Sequence, residues 1–244
     1  MAGAAVTRSL SADDIAYARS LVIGEDKHLI VFNKPSGLAV QGGSGVALSL
    51  EDLLAVFAKS NGKRPRLVHR LDRETSGVII AAKTQPDAAF FSEAFARREA
   101  NKTYLAVVCG GAADPRQGEI DLALKKSSRR GLDVMEVAKD GQAALTRYRT
   151  TSATPEAAVL ELTPTTGRMH QLRAHMAAIG RPIAGDGKYG GLYRIGGTEI
   201  PRLLLHAAVL DVPYPDRTRQ SFSAPAPADF VTAVRSLGLE TPIG

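Results

Sequence analysis

Cysteine and tryptophan are the scarcest residue types in this chain of 244 residues. Cys109 is the single cysteine, so neither a disulfide nor a cysteine-based zinc site can form within one chain. Tryptophan is absent and aromatic residues make up only 5% of the sequence. This composition argues against the extended stacking platforms that hold single-stranded nucleic acid.

Long apolar runs are also missing. No run approaches the roughly 20 apolar residues of a membrane helix, so we expect no membrane segment. The range Met1–Leu10 has no long apolar stretch, which predicts no signal peptide and a cytoplasmic location. Hydrophobic residues at 44% suffice for a globular core. A net charge of +6 and a sequence pI of about 9.5 suit a polyanionic partner without proving one.

The order of patterns along the chain predicts an α+β fold with one mixed sheet. Short strands alternate with inserted helices, and neither a repeat nor a break in composition indicates a second independent domain. We expect a helical extension over residues 1–20, with Ser11 as N-cap, and one domain over 21–244. Strands are predicted at 21–23, 28–32, 78–82, 103–109, 143–149, 157–163, 203–210 and 220–223. Helices are predicted at 50–57, from Pro86 to Arg98 and over 166–179, and 114–141 is predicted as a polar, turn-rich segment.

The most informative stretch reads Leu-Val-His-Arg-Leu-Asp-Arg-Glu-Thr-Ser-Gly and ends at Gly77. It places Asp72 between two arginines, and an apolar run that predicts a buried strand follows at once. A carboxylate held near the core needs cationic or hydrogen-bonding company, which marks Asp72 as a candidate for chemistry. The alternative is an ordinary salt-bridged loop before a strand.

A second segment, residues 166–175, reads Thr-Gly-Arg-Met-His-Gln-Leu-Arg-Ala-His. On a helical wheel Arg173 lies at the edge of an apolar stripe that includes Met169 and Leu172. An arginine there either pairs with a carboxylate, for which Asp72 is the obvious candidate, or extends along the helix to reach water. Periodicity alone does not choose between these alternatives.

Five motifs in order resemble those of the RluA-type RNA pseudouridine synthases. They are His-Arg-Leu-Asp-x-x-Thr-Ser-Gly from His69, Thr-Gly-Arg-x-His-Gln-Leu-Arg-x-His from Thr166, the run from Leu29 to Val40, Lys-x-Tyr at Lys102, and the later segments Pro182–Gly190 with Leu205–Ala207. The resemblance spans the chain from about Leu21 to Phe230. It implies a single catalytic domain with a mostly antiparallel mixed sheet, flanked by helices and loops around a basic cleft.

The resemblance also implies roles for individual residues. Asp72 acts at the ribose, as a nucleophile at C1′ or as the base for the 2′ proton, and Arg173 pairs with it. Tyr104, which is otherwise an ordinary packed aromatic, becomes the wall on which the uracil stacks. Arg70 fills the space of the flipped base. The set expected to contact RNA is Arg70, His69, Arg168, His170, Lys125 and Lys126.

Alternatives remain for several of these residues. The basic run from Lys125 to Arg130 is either a phosphate contact or a solvated charge run. His69 and His206 also suit hydrogen-bonded structural roles. His170 and His175 are five apart, so they do not share one helix face, and no acidic ligand accompanies them. Because the reaction only rearranges atoms, we expect no metal and no cofactor.

The expected partner is structured RNA, acted on by a monomer. The loop Gly42-Gly43-Ser44-Gly45 resembles the RluC-like branch, which acts on large-subunit ribosomal RNA. That branch usually carries an S4 RNA-binding domain, for which the residues before Leu21 are too few, so transfer RNA stays an alternative substrate. The rival functions are a catalytically silent RNA-binding or ribosome-assembly factor and a glycosylase-like hydrolase, which would need a second carboxylate.

Overall fold

The computed structural model describes residues 10–43, 45–129 and 131–241. Their helices are α1 (Ala12–Ser20), α2 (Leu50–Leu53), α3 (Gln85–Ala96), α4 (Gln171–Ala178) and α5 (Ala228–Ser236), with a 3-10 turn at Leu54–Phe57. The strands are β1 (Val22–Glu25), β2 (Leu29–Lys34), β3 (Arg66–Leu67), β4 (Ser76–Ala82), β5 (Asn101–Cys109), β6 (Gln117–Asp121), β7 (Leu124–Arg129), β8 (Leu132–Val137), β9 (Leu145–Ala153), β10 (Ala157–Pro164), β11 (Arg194–Ile195), β12 (Thr198–Glu199), β13 (Leu205–Pro213) and β14 (Arg219–Ser223). None of these helices is long and apolar enough to cross a membrane.

Ten strands form one sheet in the order β1-β2-β4-β13-β5-β10-β9-β6, with β14 beside β13 and β3 beside β4. The pairing of β4 with β13 is parallel, and the other pairings in this sheet are antiparallel. The predicted α+β class with a mixed, mostly antiparallel sheet is therefore confirmed. Strands β4, β13 and β5 form the centre of the sheet. The loop that contains Asp72 leads directly into β4, and Tyr104 lies in β5.

Apolar runs and helix caps account for most of these elements. The run Val78–Ala82 becomes the last five residues of β4, in which all seven residues are buried. Helix α1 begins at the predicted N-cap, where Ser11 and Asp14 form a reciprocal capping box. Helix α3 begins at Thr84, whose side chain accepts from the Asp87 amide, and buries Phe91 completely.

Two predictions of local structure are wrong. Residues 114–141 contain β6 and a hairpin of β7 and β8 rather than a polar loop. The apolar pattern does not predict this hairpin, because charged side chains occupy its strands. Ion pairs join the two strands, from Lys126 to Asp133 at 2.8 Å and from Arg129 to Glu136 at 3.0 Å. The helix predicted over 166–179 begins only at Gln171, because His170 adopts a left-handed backbone conformation with φ 50°.

Candidate active site

A cavity of about 580 Å³ opens beside the central strands. Residues 68–72 and 164–173 form two of its walls, and the end of α3 and the start of β5 form the others. Asp72, Tyr104 and Arg173 all line it, as do Arg70, His69, Arg168 and His170. The structure thus brings together seven of the nine residues predicted from the sequence, and Lys125 and Lys126 lie outside this cavity.

The Thr-Ser-Gly end of the Asp72 motif fixes the loop to β13. The Thr75 amide donates to the Asp72 carbonyl at 3.1 Å, which closes a tight turn. Gly77 follows with φ 120°, and a Cβ there would lie 2.1 Å from the Ala207 carbonyl oxygen. Only glycine permits this close approach of two backbones. Ser76 also meets His206, with Oγ and Nδ1 3.0 Å apart, and the other ring nitrogen of His206 lies 3.0 Å from the Ala224 carbonyl oxygen.

A fully buried lysine, Lys34, is hydrogen-bonded to the loop that contains Asp72. Lys34 Nζ donates to the carbonyls of Pro35 at 2.9 Å, Leu38 at 2.9 Å and Arg73 at 3.0 Å. The last of these carbonyls belongs to the residue after Asp72. Burial lowers the pKa of Lys34 to about 7, and the negative charges of Glu74 and Asp72 oppose that fall. Three acceptors for three N–H groups tie the loop after β2 to the loop that carries the aspartate.

Arg173 has a stronger partner than the one expected from the sequence. Its Nε and Nη2 donate to the two oxygens of Asp186, each at 2.7 Å, while its Nη1 reaches Asp72 Oδ2 at 3.5 Å. The Arg173 side chain is 5% exposed, so this arginine does not extend into water. Burial lowers the pKa of Arg173, but the bonds and charge of Asp186, with the charge of Asp72, raise it overall.

Tyr104 is a neutral phenol at the cavity wall. It follows Lys102 by two positions in β5, so both side chains lie on the same face of the strand. Burial raises the pKa of Tyr104, and the charge of Asp72 raises it further. The hydroxyl therefore keeps its proton at neutral pH.

The ring of His69 is held in place by contacts within the fold. Its Nε2 accepts from the Ile80 amide at 3.1 Å, and its ring stacks on Phe95 with centroids 4.4 Å apart. Burial lowers the pKa of His69 to about 3, and the nearby charge of Lys102 adds to that fall. The ring is thus uncharged at neutral pH and is held against the end of α3.

His170 and Tyr189 form a chain of contacts that ends at Asp72. The Met135 amide of β8 donates to the Tyr189 hydroxyl at 2.7 Å, and that hydroxyl lies 3.0 Å from His170 Nδ1. His170 Nε2 lies 3.9 Å from Asp72 Oδ2. The Tyr189 ring also lies over the Arg173 guanidinium, with 5.2 Å from Cζ to the ring centroid. Burial raises the pKa of Tyr189.

The surface lysines occupy a neighbouring cavity of about 480 Å³. This second cavity shares Gly167, Arg168 and Met169 with the first. Lys125 and Lys126 are both exposed and ion-paired, to Asp140 at 2.5 Å and to Asp133 at 2.8 Å. Ser44 of the glycine-rich loop and Arg130 of the basic run lie outside the described residues.

Four residues at the site were not assigned a role from the sequence. Arg98 and Lys102 line the cavity of Asp72, and neither pairs with a carboxylate within the described part of the chain. Burial lowers the pKa of Lys102. Arg98 has φ 62°, an uncommon value for arginine, but nothing in the sequence indicates it. Asp186 and Tyr189 lie in the segment Pro182–Gly190, which resembles one of the later family motifs. Asp186 is the acidic residue of that segment, and this is the sequence signal for a partner of Arg173.

The comparison with protein families identifies the family of this chain. A family described as RNA pseudouridylate synthase matches residues 28–178. The chain belongs to this family. The resemblance inferred from the five motifs is therefore confirmed, and the chain is an RNA pseudouridine synthase, an isomerase.

Relatives of this RNA pseudouridine synthase cover most of its length. It is 36% identical over 226 residues to "Ribosomal large subunit pseudouridine synthase C" of Yersinia pestis, covering 91% of this chain and 69% of that one. The protein of the same name from Rickettsia bellii is 41% identical over 69% of this chain and 56% of its own. The chain thus spans between about half and about two thirds of these two relatives.

A solved structure agrees with the fold. "Human RNA Pseudouridylate Synthase Domain Containing 4" superposes with a TM-score of 0.82 at 30% identity. It covers 96% of this chain and 100% of that one. The likeness thus extends over the whole central sheet and the cavity beside it.

Proposed function

We propose that this synthase converts uridine to pseudouridine in large-subunit ribosomal RNA, with Asp72 as the catalytic carboxylate. The choice of RNA rests on relatives whose names specify the large ribosomal subunit. The catalytic role of Asp72 rests on one observation above all. Asp72 is the single carboxylate among the described residues that line the cavity, and Arg173 and Tyr104 line it too.

A single carboxylate suits isomerisation better than hydrolysis. Pseudouridine formation breaks the bond from C1′ to N1 and makes a bond from C1′ to C5. A proton leaves C5 and one is gained at N1, so the overall formula is unchanged. A glycosidase-type hydrolysis needs a second carboxylate to manage the leaving group or the water. The cavity's single carboxylate supports the isomerase over the hydrolase.

The chemistry of Asp72 starts at the ribose by one of two routes. As a nucleophile it attacks C1′ and releases uracil. As a base it removes the proton on C2′, uracil leaves C1′ to form a C1′–C2′ double bond, and the proton returns to C2′ when C5 bonds to C1′. Both routes need an ionised aspartate, and the Arg173 cation lies 3.5 Å from its Oδ2. Both also need the detached base to turn within the cavity, beside the neutral hydroxyl of Tyr104, before C5 bonds to C1′.

The target nucleotide must leave its stack to enter the cavity. Arg70 is exposed, lines the cavity and pairs with no described carboxylate, which suits the proposed role of filling the vacated space. Arg98 and Lys102 suit phosphate contacts, since no carboxylate among the described residues pairs with them. Lys125 and Lys126 are weaker candidates, because each must first leave an acidic partner. We also propose that residues 21–244 form the catalytic domain and that α1 belongs to a helical extension before it; of the predicted ranges, residues 1–9 and 242–244 lie outside the described residues.

The test is pseudouridine mapping on purified RNA. Wild type and Asp72→Asn are incubated separately with unmodified large-subunit ribosomal RNA and with unmodified transfer RNA. We expect new pseudouridine in the ribosomal RNA with wild type only, since the substitution keeps the size of the side chain but removes the carboxylate. Modification confined to transfer RNA would overturn the substrate. RNA binding without modification of either RNA would instead identify a silent binding factor.

A further inference from the structure

His170 sits in the left-handed backbone region, which few residues other than glycine adopt. It is the N-cap of α4 with φ 50° and ψ 20°, and its side chain makes no capping bond. Gln171 holds the loop before the helix, because its Oε1 accepts from the Arg168 amide at 3.1 Å and from the Thr166 hydroxyl at 2.7 Å. The His170 side chain makes its contacts elsewhere, with Tyr189 and Asp72.

Those contacts select one tautomer of the ring. The Tyr189 hydroxyl accepts the Met135 amide proton, and His170 Nδ1 is the described acceptor for its own proton. That leaves the ring proton on Nε2, the nitrogen 3.9 Å from Asp72 Oδ2. In the opposite tautomer a lone pair would face a carboxylate oxygen, which is repulsive. Both ends of the ring thus favour the form with Nε2–H.

The surroundings keep the ring neutral at neutral pH. Burial lowers the pKa of His170, the charges of Arg173 and Lys188 lower it further, and Asp72 and Asp186 oppose them. A neutral ring with one N–H toward Asp72 is therefore the resting form. Distances of this length between catalytic groups commonly shorten when the substrate closes the site.

We infer that His170 is a positioning residue, which holds Asp72 Oδ2 together with Arg173 and is itself oriented by the Tyr189 hydroxyl. Arg173 Nη1 and His170 Nε2 both approach Oδ2, and no described residue bonds Oδ1. Oδ1 is then the oxygen that faces the ribose. This inference rests on the proposed function and replaces the role of RNA contact that the sequence suggested for His170.

The first measurement is independent of RNA. Nitrogen-15 NMR of the free enzyme at neutral pH reports the tautomer of His170, with His170→Asn used to assign its signals. We expect the neutral form protonated at Nε2, and we expect Tyr189→Phe to raise the population of the other tautomer while Asp72 still favours Nε2–H. A ring protonated at Nδ1 or at both nitrogens in the wild type would overturn the inference whether or not the tested RNA is the true substrate.

The second measurement is a double-mutant cycle on the isomerisation step. Single-turnover rates are compared for wild type, His170→Asn, Tyr189→Phe and the double variant. We expect His170→Asn to slow the step by about 10- to 100-fold, as for other residues that orient a reacting ligand. The double variant should be no slower than His170→Asn alone, since the hydroxyl acts through the ring. Phenylalanine keeps the ring over Arg173, so it is a matched control for packing.

Stability separates positioning from a structural role. Asparagine tolerates the left-handed region, so His170→Asn should leave the urea midpoint close to that of the wild type while turnover falls. Equal losses of stability and rate would make His170 a structural residue. A collapse of RNA affinity with an unchanged single-turnover rate would make it an RNA contact. Failure of the proposed function would look different, because the wild type itself would form no pseudouridine.

Discussion

Arg173 is held by Asp186 through two bonds of 2.7 Å and touches Asp72 with its remaining nitrogen at 3.5 Å. Asp186 is buried, whereas the side chain of Asp72 is 27% exposed. The guanidinium is therefore fixed by a carboxylate that does not line the cavity. Asp72, which lines the cavity, makes the longer contact with Arg173.

Asp186→Asn should destabilise the protein strongly. Removing one partner of a buried ion pair leaves an uncompensated charge, which costs about 3–5 kcal/mol. We expect the free energy of unfolding in urea to fall by about that amount, and turnover to fall because Arg173 is no longer oriented. The matched control is Glu199→Gln, which breaks the exposed pair with Arg194 and should cost under about 1 kcal/mol. Equal effects of the two variants would remove the structural role assigned to Asp186.

Lys34→Met should loosen the Asp72 loop. Methionine fills a similar volume but leaves three carbonyls without their donor, at a cost of about 1–3 kcal/mol. Turnover should fall more than the unfolded fraction explains, since Arg73 is next to Asp72. The control is Ser36→Ala, which removes an exposed bond of 2.6 Å to Glu74 in the same pair of loops. Full activity per folded molecule in Lys34→Met would contradict a positioning role for the lysine.

Arg70→Ala should impair extrusion of the base rather than general binding. The defect should shrink when the target uridine is mismatched or single-stranded, because less unstacking is then required. Single-turnover rates on paired and unpaired substrates measure this directly. Equal defects on both substrates would exclude the base-extrusion role.

Arg98→Ala and Lys102→Met should weaken binding to many RNAs alike. Each lost phosphate contact should flatten the dependence of log affinity on log salt by roughly one unit. The comparison variant is Lys125→Ala with Lys126→Ala, for which we expect a smaller change because both lysines are ion-paired. A larger change for the lysine pair would move the phosphate contacts to the second cavity.

Acidification should destabilise the protein before its carboxylates titrate. Burial lowers the pKa of His69, His170, His175 and His206 below the ordinary value near 6.5. Below that value the unfolded chain takes up protons that the folded chain does not, so stability falls as the pH drops. Each histidine contributes up to about 1.4 kcal/mol per pH unit. Urea midpoints between about pH 7.5 and about pH 5 measure the sum.

A variant checks the origin of this slope. His175 is bonded to Thr146 and to the Leu122 carbonyl. His175→Gln should lower stability at neutral pH and also make the stability less dependent on pH, because one titrating group is gone. An unchanged slope in this variant, or a wild type that grows more stable in acid, would contradict the assignment.

Continuous motifs explain what could be predicted from the sequence. The apolar run after Gly77 predicts β4, and the turn chemistry before it predicts the loop that carries Asp72. Tyr104 follows from a strand pattern in the same way. In each case neighbouring residues determine both the local structure and the position of the side chain.

The rest depends on contacts between distant segments. Asp186, the stronger partner of Arg173, lies in a loop whose sequence has no periodicity. Ion pairs join β7 and β8, and a pattern of apolar residues does not reveal them. The start of α4 depends on the left-handed backbone of His170, which the apolar periodicity of the segment does not show. Lys102 and Arg98 reach the cavity only because β5 and the end of α3 meet there.

Ala207 also sets when the site can exist during synthesis. It pairs with Gly77 on one side and with Tyr104 on the other, so β13 joins the two halves of the cavity. Domains generally fold as units while the chain emerges from its N-terminus. Asp72 and Tyr104 leave the ribosome long before β13 does, and they stay unassembled until then. A nascent or prematurely terminated chain that stops before β13 therefore carries Asp72 and Tyr104 without the strand that brings them together.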